Sequence, residues 1–226
     1  MAVKREIVLD TETTGLDPKS GHRVVEIGCV ELVNHLPSGK TFHRYMNPER
    51  DMPEQAFAVH GLSVSFLEKH PVFAEHAEEL VDFLGDAPLV IHNAAFDMGF
   101  LNAELARLDM AGLEMTRAID TMLIARQKFP GAQASLDALC RRFEIDNSAR
   151  TKHGALLDAE LLAEVYLELI GAREPSLALS VEDAAPAYER ATNRTARPPR
   201  PHEPSEAERT AHDAFLEKIS EPIWRR

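Results

Sequence analysis

The stretch "IVLDTETTGLDP", residues 7–18, joins a run of apolar residues to two acidic ones. Residues 7–9 form the end of a predicted buried strand, and Asp10 and Glu12 follow directly. Because side chains alternate along an extended strand, both carboxylates project from the same face. Taken alone, the pair is also typical of a polar strand end that leads into a turn. Two like charges beside a buried strand nevertheless need compensation.

Two later segments place carboxylates in comparable settings. In "HNAAFD", residues 92–97, Asp97 stands at the start of a predicted helix, where the helix dipole favours a carboxylate and a plain helix cap is an alternative. In "HGALLDAE", residues 153–160, Asp158 lies within an otherwise apolar helix and needs a partner such as a cation. His153 precedes Asp158 by five residues, so we expect it in the loop or first turn, reaching over the site.

These residues together have the composition of a two-metal phosphoryl-transfer site. The set comprises four carboxylates and one histidine; the carboxylates offer the hard oxygen ligands that suit Mg²⁺ or Mn²⁺, and no cysteine and histidine spacing of a zinc site is present. Two such ions would neutralise the carboxylates, activate a water and stabilise the leaving oxygen of a phosphodiester. The sequence therefore predicts metal-dependent hydrolysis of a phosphodiester.

The surrounding pattern predicts an α/β fold. Three strands open the chain, "KREIVLD", "RVVEIGCVELVN" and "KTFHRYMN", with "HLPSG" at residues 35–39 as the turn between the last two. From Pro53 onward, helical patterns alternate with short strands at "APLVIHN" and "EMTRAIDT", and a long final helix stops at Gly171. This order predicts an antiparallel meander followed by parallel strands in one mixed sheet flanked by helices.

Composition limits the classes of function. No stretch approaches the roughly 18 apolar residues of a membrane helix, so we expect a cytoplasmic protein without membrane contact. The formal net charge of −12 argues against a broad nucleic-acid surface, although bound metal ions can supply positive charge locally. The acidity belongs to residues 1–172, with 16 Lys and Arg against 27 Asp and Glu. Cys29 and Cys140 lie in apolar segments, which predicts buried free thiols.

The remainder of the chain has a different character. Residues 1–172 are the predicted catalytic domain, and residues 173–204 are rich in proline and poor in aromatic residues, which predicts a flexible, disordered linker. Residues 205–226 regain helical spacing, which predicts an amphipathic segment that binds a partner; a tail that folds back on its own domain is the alternative. The predicted anchors of this segment are Phe215, Leu216, Ile219 and Trp224.

The three motifs, in this order over residues 7–158, resemble those of the DEDD superfamily of 3′→5′ exonucleases, histidine subtype. "VHGLS" at 59–63, "HGALLDAELLAEVYLEL" at 153–169 and the tethered C-terminal segment are similar to the epsilon family of proofreading subunits of bacterial DNA polymerase III. The resemblance implies a ribonuclease-H-like fold and a 3′→5′ exonuclease that removes mispaired nucleotides as 5′-mononucleotides.

The resemblance also implies roles for individual residues. Asp10, Glu12 and Asp158 would hold the metal nearest the attacking water, Asp10 would be shared, and Asp97 would serve the second metal through water. His153 would be the general base, a role that suits an imidazole at neutral pH. The residues expected to line the pocket for the terminal nucleotide are Thr11, Thr13, His60 and Phe96, the last also being typical of core packing.

Partners follow from the same resemblance. The substrate would be a DNA 3′ terminus, either single-stranded or a frayed primer end, and residues 205–226 would bind the polymerase III alpha subunit, whose tethering compensates for weak DNA binding. "REPSLALS" at 173–180 resembles a sliding-clamp motif, with Leu177 and Leu179 as hydrophobic plugs, but lacks the usual glutamine. A small accessory subunit is a further expected partner.

Two other functions fit parts of the pattern. An exoribonuclease of the same superfamily would carry the same three motifs, but it has no evident need for a linker and an anchor segment. A non-catalytic adaptor between polymerase and clamp would not need the full set of acidic residues and histidine that the chain retains.

Overall fold

The strands and helices of the chain follow the predicted order. The computed structural model describes residues 4–148, 150, 152–172 and 203–220. Its strands are β1 (Arg5–Thr13), β2 (Val24–Val33), β3 (Leu36–Tyr45), β4 (Leu89–Ile91) and β5 (Ala118–Asp120). Its helices are α1 (Glu54–His60), α2 (Val64–Leu67), α3 (Phe73–Leu84), α4 (Ala94–Ala106), α5 (Thr121–Lys128), α6 (Leu136–Arg142), α7 (Ala155–Ile170) and α8 (Glu206–Leu216).

The strands form one mixed sheet in the order β3-β2-β1-β4-β5. β1 pairs antiparallel with β2 and parallel with β4, and β4 pairs parallel with β5, so the predicted meander followed by parallel strands is confirmed. β1 is the central strand and extends beyond the end of its pairing with β4 at Leu9. The residues after Leu9 therefore stand where two parallel strands end, the usual position of ligand sites in such sheets.

Each face of the sheet is covered by a different set of helices. Ile7 and Leu9 of β1 belong to a core cluster with α3 and α4, whereas Val8 belongs to a second cluster with α5, α6 and α7. The alternation of β1 continues past these residues, so Asp10 and Glu12 share the face of Val8, toward α7. Thus β1 delivers its acidic residues to one layer of helices and its intervening threonine to the other.

One predicted turn is wrong. Residues 35–39 are not the turn, because β3 already begins at Leu36 and the loop consists of Asn34 and His35. Both loop residues have positive φ, 52° and 65°, as a two-residue type I′ hairpin requires, and asparagine tolerates that conformation well. Pro37 lies within β3, where an edge strand accommodates its missing N–H. The short helix α2 was also not predicted, whereas all the helices that were predicted are present.

The cysteines agree with the sequence-based expectation. Cys29 and Cys140 are both buried and free. Burial raises the pKa of each thiol. Neither sulfur lies in the lining of the carboxylate cavity described below.

The chain divides into two compact units, Met1–Leu177 and Ala178–Arg226. In the second unit, Ser205 caps α8 through a reciprocal capping box with Glu208. Of the predicted anchors, Phe215 is 58% exposed and Leu216 only 4%. The predicted linker falls almost entirely outside the described residues, as do the proposed anchors Leu177, Leu179 and Trp224. Among the described helices, none has the length and hydrophobicity needed to span a membrane.

Gly28 sets how closely α7 approaches the sheet. It pairs with Asp10 in the β1–β2 register, and a β-carbon at this position would overlap the backbone of Ala155 and Leu156 in the first turn of α7. We therefore expect Gly28→Ala to lower the free energy of unfolding by about 1–3 kcal/mol through overpacking. Urea unfolding monitored by circular dichroism measures this change.

The matched control is Gly99→Ala. Gly99 is exposed within α4, and a β-carbon there meets no atom within 4 Å. Alanine should stabilise this helix position by roughly 0.5–1 kcal/mol because it loses less conformational entropy. Equal effects of the two substitutions would contradict the close packing of Gly28 against α7.

Candidate active site

The three sequence motifs meet at one cavity. Its volume is about 320 Å³, and it opens at the end of β1 between the first turns of α4 and α7. The predicted site residues that line it are Asp10, Thr11, Glu12, Phe96, Asp97, His153 and Asp158. Residues separated by almost 150 positions in the sequence are thus brought to one place by the sheet topology.

Asp10 and Glu12 repel the other acids of the cavity. Burial raises the pKa of Asp10 well above its usual range, and repulsion from Asp97 and Asp158 adds to this effect. Burial also raises the pKa of Glu12 to about 8, with repulsion from Asp158 as the next cause. Glu12 additionally faces Glu26 across the β1–β2 pair, a like-charge arrangement that is unfavourable without compensation. The end of β1 therefore favours a bound positive charge.

Asp97 is fixed by β1 rather than by capping its own helix. β4 leads into α4 through Asn93, whose positive φ of 67° turns the chain sharply. The backbone N–H and hydroxyl of Thr11 both donate to Oδ1 of Asp97, at 3.0 and 2.7 Å. Burial raises the pKa of Asp97 to about 7, and the Thr11 hydrogen bonds oppose that rise. The helix-cap interpretation of Asp97 is therefore wrong, and Thr11 acts as its anchor.

Asp120, which the sequence did not single out, supports the second motif. It caps α5 by accepting from the backbone N–H of Met122 at 2.9 Å. Its carboxylate also accepts from the backbone N–H groups of Asn93 and Ala94, at 3.3 and 3.1 Å. One carboxylate at the end of β5 thus joins α5 to the turn at Asn93, from which the helix that carries Asp97 begins. The aspartate before a helical run was the available signal for its capping role.

Asp158 has the cationic partner that its position in an apolar helix demands, and this partner is Arg150. The guanidinium donates from Nε to Oδ1 of Asp158 at 2.5 Å and from one terminal nitrogen to Oδ2 at 2.6 Å. Its other terminal nitrogen donates to Asp137 at 2.6 Å. Although burial alone would raise the pKa of Asp158, its contacts with His153 and Arg150 lower it. Arg150 was not predicted, because a single arginine in a loop carries no periodic signal.

His153 lies in the loop before α7, as predicted, with a side chain that is 47% exposed. Its Nδ1 is 3.3 Å from Oδ2 of Asp158 and 2.8 Å from a terminal nitrogen of Arg150. The imidazole is therefore held at one nitrogen while it lines the cavity.

The ligand atoms of the cluster fit a divalent cation. One oxygen each of Glu12 and Asp158 and one ring nitrogen of His153 all lie within 4.8 Å of one another. Carboxylate oxygens are the donors that suit Mg²⁺ and Mn²⁺, and the imidazole of His153 lies beside them. Several acidic side chains line this cavity together with Arg150. Binding of divalent cations would neutralise the negative charge of these side chains.

A second cavity of about 550 Å³ adjoins the first and shares Thr11, Glu12 and Phe96 with it. Thr13 and His60 line it: the Thr13 hydroxyl donates to the carbonyl of Gly15, and Nδ1 of His60 accepts from the backbone N–H of Leu62. Phe96 packs on Phe100 at a ring distance of 4.9 Å, so it serves the core as well. This cavity also has exposed apolar lining residues, Leu16 and Val59.

The family can be identified from the whole pattern. Residues 7–166 match the exonuclease family RNase_T. The DNA polymerase III subunit epsilon of Rickettsia felis is 49% identical over 225 residues, covering 97% of this chain and 98% of that protein. The subunit epsilon of Escherichia coli K12 is 49% identical over 188 residues, covering 80% of this chain and 77% of that protein.

Solved structures agree on the fold. The nuclease domain of 3′hExo, a DEDDh family member bound to rAMP, superposes with a TM-score of 0.65 at 19% identity, covering 76% of this chain and 94% of that one. Exonuclease X in complex with 5′ overhanging duplex DNA gives a TM-score of 0.57 at 24% identity, covering 74% and 92%. The predicted ribonuclease-H-like fold is thereby confirmed.

Proposed function

The chain belongs to the RNase_T exonuclease family and, within it, to the epsilon subunits of bacterial DNA polymerase III, and we propose that the acidic cavity at the end of β1 excises mispaired 3′-terminal nucleotides. The reaction is 3′→5′ hydrolysis of the last phosphodiester, which releases a 5′-mononucleotide. The observation that carries this proposal is the convergence of Asp10, Glu12, Asp97, Asp158 and His153 on one cavity.

The carboxylates would hold two divalent cations, Mg²⁺ or Mn²⁺. Glu12, Asp158 and Asp10 are the proposed ligands of one ion, Asp10 is shared, and Asp97 serves the other. When bound, such ions activate a water and stabilise charge on the phosphodiester oxygens. Gly28 and Thr11 position this set, the first by admitting α7 and the second by holding Asp97.

His153 is the proposed general base. Its Nδ1 faces Asp158, which leaves Nε2 as the ring nitrogen for the proton of the attacking water. A carboxylate beside one imidazole nitrogen fixes the tautomer that exposes the lone pair of the other. A histidine in this role contributes about 10²–10⁴-fold to the rate.

The adjoining cavity is the proposed site for the terminal nucleotide. Its exposed apolar residues, Leu16 and Val59, together with Phe96, offer surfaces on which a base packs without readout of its hydrogen-bonding edge. Proofreading must accept any of the four bases, and packing against apolar surfaces suits that task because it does not depend on the identity of the base. Thr13 and His60 then shape the cavity through their internal hydrogen bonds.

The whole-chain similarity favours DNA proofreading over RNA trimming. The Rickettsia felis subunit matches this chain over nearly its full length, including the region of the tail, and it is named as a polymerase subunit. The net charge of −12 argues for weak intrinsic hold on DNA, which a tether to a polymerase would offset by effective concentration. We place this activity in the bacterial cytoplasm, where such a polymerase works.

Residues 205–226 are the proposed tether to the alpha subunit, joined to the catalytic domain, residues 1–172, by the linker 173–204. Phe215 supports this role, because it is a large aromatic side chain exposed on a well-capped helix. Leu216, Ile219 and Trp224 remain further proposed anchors. A clamp contact at Leu177 and Leu179 and binding of a small accessory subunit are proposed from the resemblance alone.

Neutralising two carboxylates tests the active-site assignment. We expect the double variant Asp10→Asn, Asp97→Asn to lose exonuclease activity on a mismatched primer, since both proposed ions lose a ligand. Gel analysis of labelled primers measures this loss. Stability without metal should not fall, because the amides remove repulsion and an amide oxygen in place of Oδ1 of Asp97 still accepts from Thr11.

The control is Asp86→Asn, the same Asp-to-Asn exchange at an exposed position after α3. It should retain wild-type activity. Undiminished activity of the double variant would refute the assignment of the cavity.

Deleting residues 205–226 tests the tether separately. Exonuclease activity on a free primer should persist, because the catalytic cavity lies in the other compact unit. Co-purification with the co-expressed alpha subunit should be lost, and Phe215→Ala alone should weaken it. Arg209→Ala, a change at an exposed position of the same helix, is the matched control. Retained co-purification after the deletion would show that the interface lies elsewhere.

A further inference from the structure

Arg150 occupies the same oxygens that Asp158 would offer to a metal ion. Its guanidinium takes both Oδ1 and Oδ2 of Asp158, at 2.5 and 2.6 Å. The arginine and aspartate side chains are only 7% and 3% exposed, so solvent screens the pair little. A divalent cation at Asp158 therefore competes directly with this ion pair.

From this geometry we propose that Arg150 is an exchangeable counter-ion, which pairs with Asp158 in the metal-free protein and releases Asp158 when a divalent cation binds. The inference rests on the proposed metal site. It makes Arg150 a positioning residue that sets the occupancy of the site rather than a group that contacts the reacting atoms.

The guanidinium has a second anchor that allows this exchange. Its other terminal nitrogen donates to Asp137 at 2.6 Å, and the Asp137 side chain is 45% exposed at the rim of the cavity. Arg150 can therefore leave Asp158 without losing every ionic partner. The positive charge also reaches further, because it opposes the rise in pKa of Asp10 and Glu12. Arg150 thus compensates the whole cluster while no cation is bound.

Release of Arg150 also prepares His153. In the paired state a terminal nitrogen of Arg150 donates to Nδ1 of His153 at 2.8 Å, so the proton of a neutral imidazole resides on Nε2. That tautomer cannot accept a proton from water at Nε2. Once Arg150 leaves, Nε2 can lose its proton to solvent while Nδ1 takes one up; Nδ1–H then donates to Asp158, 3.3 Å away, and Nε2 carries the free lone pair. Metal binding and activation of the base are then coupled through one side chain.

Competition of this kind weakens metal binding: the apparent affinity equals the intrinsic affinity multiplied by the fraction of molecules in which Asp158 is free. Replacing Arg150 removes the competitor. We expect Arg150→Met to bind Mn²⁺ about fivefold or more tightly than the wild type, a coupling in the ordinary range between two exclusive states. Titration of free Mn²⁺ by electron paramagnetic resonance, without DNA, measures this affinity independently of activity.

The conservative variant separates ion pairing from charge alone. Arg150→Lys keeps the charge but cannot engage both oxygens of Asp158, so its Mn²⁺ affinity should lie between those of Arg150→Met and the wild type. Arg141→Met, at an exposed position in the last turn of α6, is the control for loss of one positive charge and should match the wild type.

Thermal unfolding provides a second readout. In EDTA, Arg150→Met should melt below the wild type, because Asp158 loses its partner and stays buried. Saturating Mn²⁺ should raise its melting temperature more than that of the wild type. An arginine that merely supports the fold would lower both melting temperatures equally.

The outcomes divide cleanly. Equal or weaker Mn²⁺ binding by Arg150→Met, or wild-type binding by Arg150→Lys, overturns the exchange while leaving the metal site intact. If Asp158→Asn binds Mn²⁺ as well as the wild type, the metal-site assignment itself fails. Tighter Mn²⁺ binding by Arg150→Met and Arg150→Lys than by the wild type supports the exchange, provided that adding Asp158→Asn abolishes the gain.

Discussion

Mutual repulsion among buried carboxylates at the end of β1 is the constraint on which the rest of this site depends. Burial and neighbouring acids raise the pKa values of Asp10 and Glu12, so the ionised carboxylates are electrostatically unfavourable unless a positive charge offsets them. The fold nevertheless enforces the crowding, since Gly28 admits the first turn of α7 and Thr11 pulls Asp97 to the strand. The repulsion lowers the stability of the folded protein, and a bound cation relieves it, so the same repulsion strengthens cation binding.

Much of this arrangement was predictable because its signals are local. Asp10, Glu12 and Asp158 each stand beside a recognisable apolar strand or helix, and alternation along β1 placed the first two on one face. Arg150 was missed because its significance depends on a tertiary contact with Asp158 and not on any pattern in its own loop. The predicted demand of Asp158 for a cation was correct, yet the sequence did not reveal that the chain supplies one itself.

The same distinction explains the errors of detail. "HLPSG" contains the proline and glycine of a typical turn, but the hairpin turns at Asn34 and His35, because pairing with β2 draws Pro37 into the edge strand. Asp97 was open to interpretation as a cap until its bonds to Thr11 were known. In the first case strand pairing and in the second a long-range hydrogen bond overrode a sound local preference, whereas the order of strands and helices, set by longer periodic segments, was predicted correctly.

The central claim is that the repelling carboxylates form a two-ion site from which Arg150 is displaced. Anomalous diffraction from crystals grown with Mn²⁺ tests it most directly. We expect two manganese peaks beside Asp10, within the cavity lined by Glu12, Asp97 and Asp158, and a guanidinium that has left Asp158. Manganese bound only elsewhere, or an intact Arg150–Asp158 pair beside a filled site, would contradict the account.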